Sequence, residues 1–348
     1  MTRSSILTST NPADADFIMP AEWETHSRCW MVWPSANDLW GEMSVVEDAY
    51  ARVANTIARF EPVSMVVNHD AIESARAQLD NNVEVLPLPS DDSWMRDTGP
   101  SFLKHRQTGE IAGTAWRFNC WGGHIPIYQE DAQIAGRVLA QQGLDCYRSS
   151  LTLEGGGLHV DGNGTLATTE SVVLNPNRNW GMNKQEAEVE LCRATGASKI
   201  IWLPGDPNGE TSDMTDGHID GIMCFIEPGV VLFEKDSSSQ GVEARLEREN
   251  RRALELATDA QGRKLQIIDM EISHEGIGED HEMFCSSYIN FYLPNGAVVM
   301  PAYGVPSDEK VRSFLSNLFA DRQVEMVNIN DIAPAGGGIH CITQQQPA

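Results

Sequence analysis

Three short stretches of the 348-residue chain put ionisable side chains beside glycines. They are Asp97 before Thr98-Gly99-Pro100, Glu154 before Gly155-Gly156-Gly157, and Asp216-Gly217-His218-Ile219-Asp220-Gly221. Small residues there allow close approach of a ligand. Each stretch also precedes a glycine-containing turn at nearly the same interval. Asp97 lies 12 residues before Gly109, Glu154 lies 10 before Gly164, and His218 and Asp220 lie 11 and 9 before Gly229. Equivalent positions of repeated units converge in space, so the three stretches read as one shared site and not as three sets of solvated turn carboxylates. A thiol would complete it, and two compete. Cys341 ends the run Gly336-Gly337-Gly338-Ile339-His340-Cys341, expected to lead into a strand, and Cys285 sits 11 residues before Gly296, the fourth unit's equivalent position. Spacing does not choose between them.

A thiol, an imidazole and several carboxylates suit attack on a guanidinium. Two carboxylates can grip its paired N–H groups, each charge-assisted bond contributing about 1.5–3 kcal/mol. A free thiol with pKa near about 8.5 is little ionised at neutral pH, and neighbouring carboxylates raise that value. The bound cation must then help to form the thiolate, with His218 handling protons.

Composition agrees. Fifty acidic against 25 basic side chains give a formal net charge of −25. Such a chain lacks the Lys/Arg field that nucleic acid requires, and it favours cationic or neutral small-molecule partners. No apolar run reaches membrane-spanning length and no secretory leader is evident, so no membrane association and a cytoplasmic location are expected. The seven cysteines (29, 120, 146, 192, 224, 285 and 341) are scattered and never spaced as a zinc knuckle or disulfide framework.

Positioning falls to a recurring hairpin. Turns at Gln107-Thr108-Gly109, Gly162-Asn163-Gly164, Glu227-Pro228-Gly229 and Pro294-Asn295-Gly296 separate apolar strands. Their final glycines are 55, 65 and 67 residues apart, which suggests five or six units. Helices are expected after Ser44, whose spacing from Glu47 reads as a capping box before the stripe Val46, Ala49, Tyr50, Val53 and Ile57, and after Asp70. Further helices are expected near 129–142, 184–195, 242–257 and 308–319. The Arg/Glu-rich segment from Glu243 to Arg252 reads as a solvated face. No linker divides the chain, so residues 1–348 read as one catalytic domain of propeller-like α/β architecture.

These residues resemble the agmatine deiminase family of the guanidine-modifying superfamily. The resemblance runs almost end to end. It covers Met19-Pro20-Ala21-Glu22-Trp23-Glu24, Trp30-Met31-Val32-Trp33-Pro34, Asp91 to Pro100, Asn119-Cys120-Trp121-Gly122-Gly123, Glu154 to Gly157, Asn175-Pro176-Asn177-Arg178-Asn179, Gly217 to Asp220 and Gly336 to Cys341. It implies a five-bladed αβ-propeller (pentein) of ββαβ units and a hydrolase needing no metal or cofactor, assembled as a homo-oligomer. It further implies that Cys341 is the nucleophile, His218 the general acid/base and Glu154 its orienting carboxylate. Asp97 and Asp220 would bind the guanidinium and Trp94 would line the channel. Agmatine would yield N-carbamoylputrescine and ammonia. One departure is the long stretch from Gly205 to Asp216, where Glu210, Asp213 and Asp216 are candidates to receive the substrate's distal amine.

Rival readings are fewer. Asp216-x-His218-x-Asp220 has the spacing of a manganese half-site, but a second carboxylate-rich motif is missing. An amidinotransferase shares the implied intermediate, arginine or another guanidino compound could replace agmatine, and a silent polyamine-binding module would suit the acidity. His26, His69, His105 and His274 read as surface or structural, and His281 as channel or loop. His340, next to Cys341 in the expected strand, should face the opposite way.

Overall fold

Five separate sheets carry the architecture in a computed structural model that describes residues 11–35, 40–281 and 283–348. Three of them share one plan: an antiparallel pair, then a helix that returns the chain to a parallel outer strand. Ser101–His105 and Ile111–Arg117 pair antiparallel, Asp131–Gln141 crosses over, and Asp145–Thr152 pairs parallel. The pattern repeats with Leu158–Val160, Thr165–Thr169, Lys184–Thr195 and Lys199–Leu203. It repeats again with Met223–Glu227, Val230–Asp236, Gly241–Leu256 and Gln266–Ile272. Gly164 and Gly229 turn their hairpins at φ +99° and +77°, where a side chain would be strained.

The fourth sheet is abbreviated. Ala297–Ala302 and Gln323–Asn328 pair parallel around helix Pro306–Leu318, and the expected first strand shrinks to one bridge between Tyr292 and Val299. In the fifth sheet the two ends of the chain meet: Gln344–Pro347 runs antiparallel to His26–Val32, which pairs parallel with Val63–Val67 across helix Met43–Ile57. The observed class is thus α/β with mixed sheets.

Hydrophobic burial explains most of these elements. Every residue of Val63–Val67 is buried, as expected for a strand covered on both faces. Val46, Ala49, Tyr50, Val53 and Ile57 form the buried stripe of their helix. Its expected capping box does not form: Glu42 holds the N-cap, Ser44 donates to Glu42, and Glu47 accepts from Ser74 and Gln78. The expected strand through Cys341 is also corrected. Residues 339–342 form a turn, and the strand starts only at Gln344. Among the described residues no helix is long and apolar enough to cross a membrane.

Candidate active site

Four of the five sheets carry this chemistry just before one of their strands. Asp97 lies in the single helical turn Met95–Thr98, Glu154 precedes the 3-10 turn Gly155–Gly157, and His218 and Asp220 bracket the start of Ile219–Gly221. Cys341 precedes the closing strand. All four ionisable residues are buried, whereas Cys341 is half-buried.

Gly156 marks where they meet. A Cβ there would stand 2.6 Å from His218 Nδ1, 2.9 Å from Asp97 Oδ1 and 3.0 Å from Asp220 Oδ2. Its backbone N–H donates to Asp97 Oδ1 at 2.9 Å, and Trp121 Nε1–H donates to Asp97 Oδ2 at 2.8 Å. Cys341 Sγ lies 3.8 Å from Asp220 Oδ2. One imidazole and two carboxylates therefore close on the backbone of Gly156, where only glycine fits, and the Cys341 sulfur stands beside one of those carboxylates.

Electrostatics separates their states. Burial disfavours the His218 imidazolium, but Asp97, Glu154 and Asp220 outweigh it and push its pKa up to about 9. His218 Nε2 is 3.2 Å from Glu154 Oε2, while Nδ1 is 3.9 Å from Asp97 Oδ1. Glu154 is held below its usual range against burial by Arg178 and His218. Arg178 Nε donates to both Glu154 oxygens at 3.0 and 2.9 Å, and its Nη1 reaches Asp216 at 2.5 Å. Burial, with Asp220 and Glu154 adding to it and His218 opposing, raises Asp97. Asp220 is lowered despite burial, first by His340 and then by His218 and Arg96. Burial pushes the Cys341 thiol well above its usual range; Asp220, Cys285 and Asp97 add to that, and the Gly338 backbone N–H opposes it.

Residues outside the sequence-derived set complete the arrangement. His340 does not sit in a strand facing away: its Nδ1 meets Asp220 Oδ2 at 2.8 Å and its Nε2 meets Glu22 Oε2 at 2.9 Å. Arg178, Trp121 and Glu22 all lie in the quoted motifs, which gave them no part. Trp94 is buried, stacked on Trp40 at 5.3 Å, with its N–H on Asp92. A Cβ on Gly337 would come within 2.2 Å of the Trp94 ring, so this glycine lets the turn carrying Cys341 pack on the indole.

With that geometry in hand, similarity becomes informative. Residues 18–347 match the sequence model of the Porphyromonas-type peptidyl-arginine deiminases. The chain belongs to that family. Among its relatives, an agmatine deiminase of Pseudomonas aeruginosa is 40% identical over 371 residues, covering 98% of each chain. One of Ectopseudomonas mendocina is 39% identical over 372 residues, again covering 98% of each. The fold is similar to the solved structure of an Enterococcus faecalis agmatine deiminase, with a TM-score of 0.91 and 32% identity over 97% of this chain and 98% of that one.

For a member of the Porphyromonas-type family, the loop from Gly205 to Asp216 is closed upon itself. Asp206 accepts from the Glu210 and Thr211 backbone, Glu210 pairs with Arg245 at 2.6 Å, and Asp213 accepts from Thr215 and Gly217. With Asp216 on Arg178, all three carboxylates expected at a distal amine already have partners. The manganese spacing gathers nothing either: Asp216, His218 and Asp220 turn to Arg178, Glu154 and His340 respectively. Glu22, His159 and His340 do bring three potential ligand atoms within 4.8 Å of one another, but Arg96 Nη2 is 3.6 Å from Glu22 and already supplies a cation.

One cleft, of about 1150 Å³, is lined by Gly217 and Gly221 but by none of Asp97, Glu154, His218, Asp220 or Cys341. His281 is an exposed residue on its wall, and His274 pairs with Glu234 at 2.6 Å. His26, paired with Glu61, is structural.

Proposed function

We propose that this chain hydrolyses agmatine to N-carbamoylputrescine and ammonia through a covalent amidino-thioether on Cys341. The observation that carries the reading is the convergence of His218, Asp97 and Asp220 beside Gly156, with the Cys341 sulfur next to Asp220. A planar cation there offers N–H groups to both carboxylates. Its charge offsets theirs and allows Cys341 to release its proton to solvent, so that the thiolate attacks the guanidinium carbon. His218, protonated at neutral pH, donates its Nδ1 proton to the departing nitrogen as the C–N bond breaks. The neutral imidazole then takes a proton from water. The resulting hydroxide adds to the thioether carbon, and collapse breaks the C–S bond as the hydroxyl proton leaves to solvent, forming the ureido C=O and returning the thiolate and the imidazolium. Glu154, itself clamped by Arg178, holds His218 from behind, and Trp94 backs the turn that carries Cys341. The five sheets are read as blades of an αβ-propeller, each offering the start of its first strand to the axis. The reading includes a cytoplasmic homo-oligomer, dimer or higher.

The test is ammonia release from agmatine, arginine, a peptidyl arginine and shorter or longer guanidinoalkyl amines, in the wild type and in Cys341→Ala. Agmatine should be preferred, and Cys341→Ala should lose turnover by at least about 10³-fold. Preference for arginine would replace the substrate but not the chemistry. Turnover retained by Cys341→Ala would refute the scheme itself.

A further inference from the structure

The fourth sheet contributes a residue that the sequence expectation gave to Cys285. Asn290, two residues before the bridging Tyr292, reaches the Cys341 sulfur with both ends of its amide: Nδ2 at 3.3 Å and Oδ1 at 3.4 Å. Hydrogen bonding fixes which end is which. Oδ1 accepts from the backbone N–H of His340 at 3.0 Å and of Cys341 at 3.3 Å, so the amide N–H₂ is the end left to donate to sulfur. The protonated thiol can donate to Oδ1, and the thiolate can accept from Nδ2. One amide therefore serves both states of the nucleophile.

The site is built to hold this side chain. A Cβ on Gly338 would stand 2.5 Å from Asn290 Oδ1, so glycine is required for the amide to reach the turn. The segment before Asn290 is pinned: Glu234 accepts from Ser287 Oγ at 3.0 Å, Tyr288 N at 3.1 Å and Ile289 N at 2.6 Å. The acids beside the sulfur, Asp220, Cys285 and Asp97, oppose its ionisation. Asn290, with the Gly338 N–H, supplies the opposing donors. From this geometry, and resting on the covalent scheme above, we propose that Asn290 is a catalytic residue that stabilises the Cys341 thiolate, both when it forms for attack and when the C–S bond breaks and returns it.

The experiment measures alkylation of Cys341 by iodoacetamide from pH 7 to 10, resolved from the other cysteines by peptide mass, in wild type, Asn290→Ala and the isosteric Asn290→Asp. Circular dichroism checks folding. Losing one charge-assisted donor should slow alkylation at pH 8 by about tenfold in Asn290→Ala, and Asn290→Asp should be slower still. Agmatine kcat should fall by about 10–10² with KM changed by less than about threefold. Alkylation rates unchanged or raised in both folded variants would overturn the proposal. Alkylation needs no turnover, so it stands or falls separately from the agmatine assay, whose failure would show instead in Cys341→Ala.

Discussion

His218 and His340 are both buried, both interact with Asp220, and both have pKa values raised by carboxylates against the effect of burial. They differ in what their nitrogens are doing. His340 has both engaged, Nδ1 on Asp220 at 2.8 Å and Nε2 on Glu22 at 2.9 Å, and Arg96 stands beside that pair. Among the described residues His218 has only Nε2 hydrogen-bonded, on Glu154; its Nδ1 is 3.9 Å from Asp97, beyond hydrogen-bonding distance, and faces the backbone of Gly156. A proton on that nitrogen can be given to a ligand. A proton on His340 cannot leave without exposing two buried carboxylates to each other. On the proposed scheme, similar ingredients make a proton donor in one place and a fixed strut in the other, and the nitrogen left without a hydrogen bond makes the difference.

The largest effect expected from breaking this contrast is at His218. His218→Gln should lower kcat for agmatine by about 10²–10⁴. The wild-type pH profile should carry the matching signature. The acid form is the donor and its pKa is raised to about 9, so kcat should be sustained through neutrality and fall as pH rises through about 9. Steady-state kinetics across pH 6–10 checks both. A kcat rising through pH 9 would exclude His218 as the acid.

Next comes Gly156 itself. Gly156→Ala would place a methyl against His218, Asp97 and Asp220 at 3.0 Å or less, with no left-handed φ to strain the backbone. Displacing those groups by a fraction of an ångström should lower kcat/KM by about 10². Thermal unfolding should shift only slightly. A variant equally impaired in stability would mean that Gly156 serves packing instead of access.

Legibility followed charge and punctuation. Asp97, Glu154, His218 and Asp220 stood out because turn glycines, which need positive φ, mark each repeat. Helix Lys184–Thr195 was readable to its ends because Asn183 and Glu186 form a true capping box and Gly196 closes it at φ +71°. Ser44 and Glu47 show the same letters without the box, since partners on the neighbouring helix draw Glu47 away. The stretch through Cys341 misled for a different reason. Its apolar and Thr residues suggest a strand, but Gly336 at φ +89° and the turn at 339–342 bend it into the site. That bend turned His340 from an outward-facing residue into a ligand of Asp220. Asn290 was silent, because a neutral amide among strand-like aromatics carries no signal until its partners are known. The choice of Cys341 over Cys285 came from resemblance and not from spacing.

The smallest effect should come from the strut. His340→Gln keeps a side chain of similar reach but removes the positive charge between Asp220 and Glu22. Asp220, now lowered chiefly by His340, should rise. A carboxylate with a depressed pKa is ionised until pH falls through that value, so raising it brings the loss of charge to higher pH. The acid limb of kcat/KM for agmatine should therefore move to higher pH, whereas KM at neutrality, where Asp220 stays ionised and no neighbouring cation opposes the guanidinium, should not rise. The thiol and the His218 proton are not touched directly, so kcat should stay within about threefold and its alkaline limb near pH 9 should not move. Initial rates over pH 3–10 separate the outcomes. A fall in kcat with the acid limb unchanged would make His340 part of the proton transfer, and the contrast between the two imidazoles would be lost.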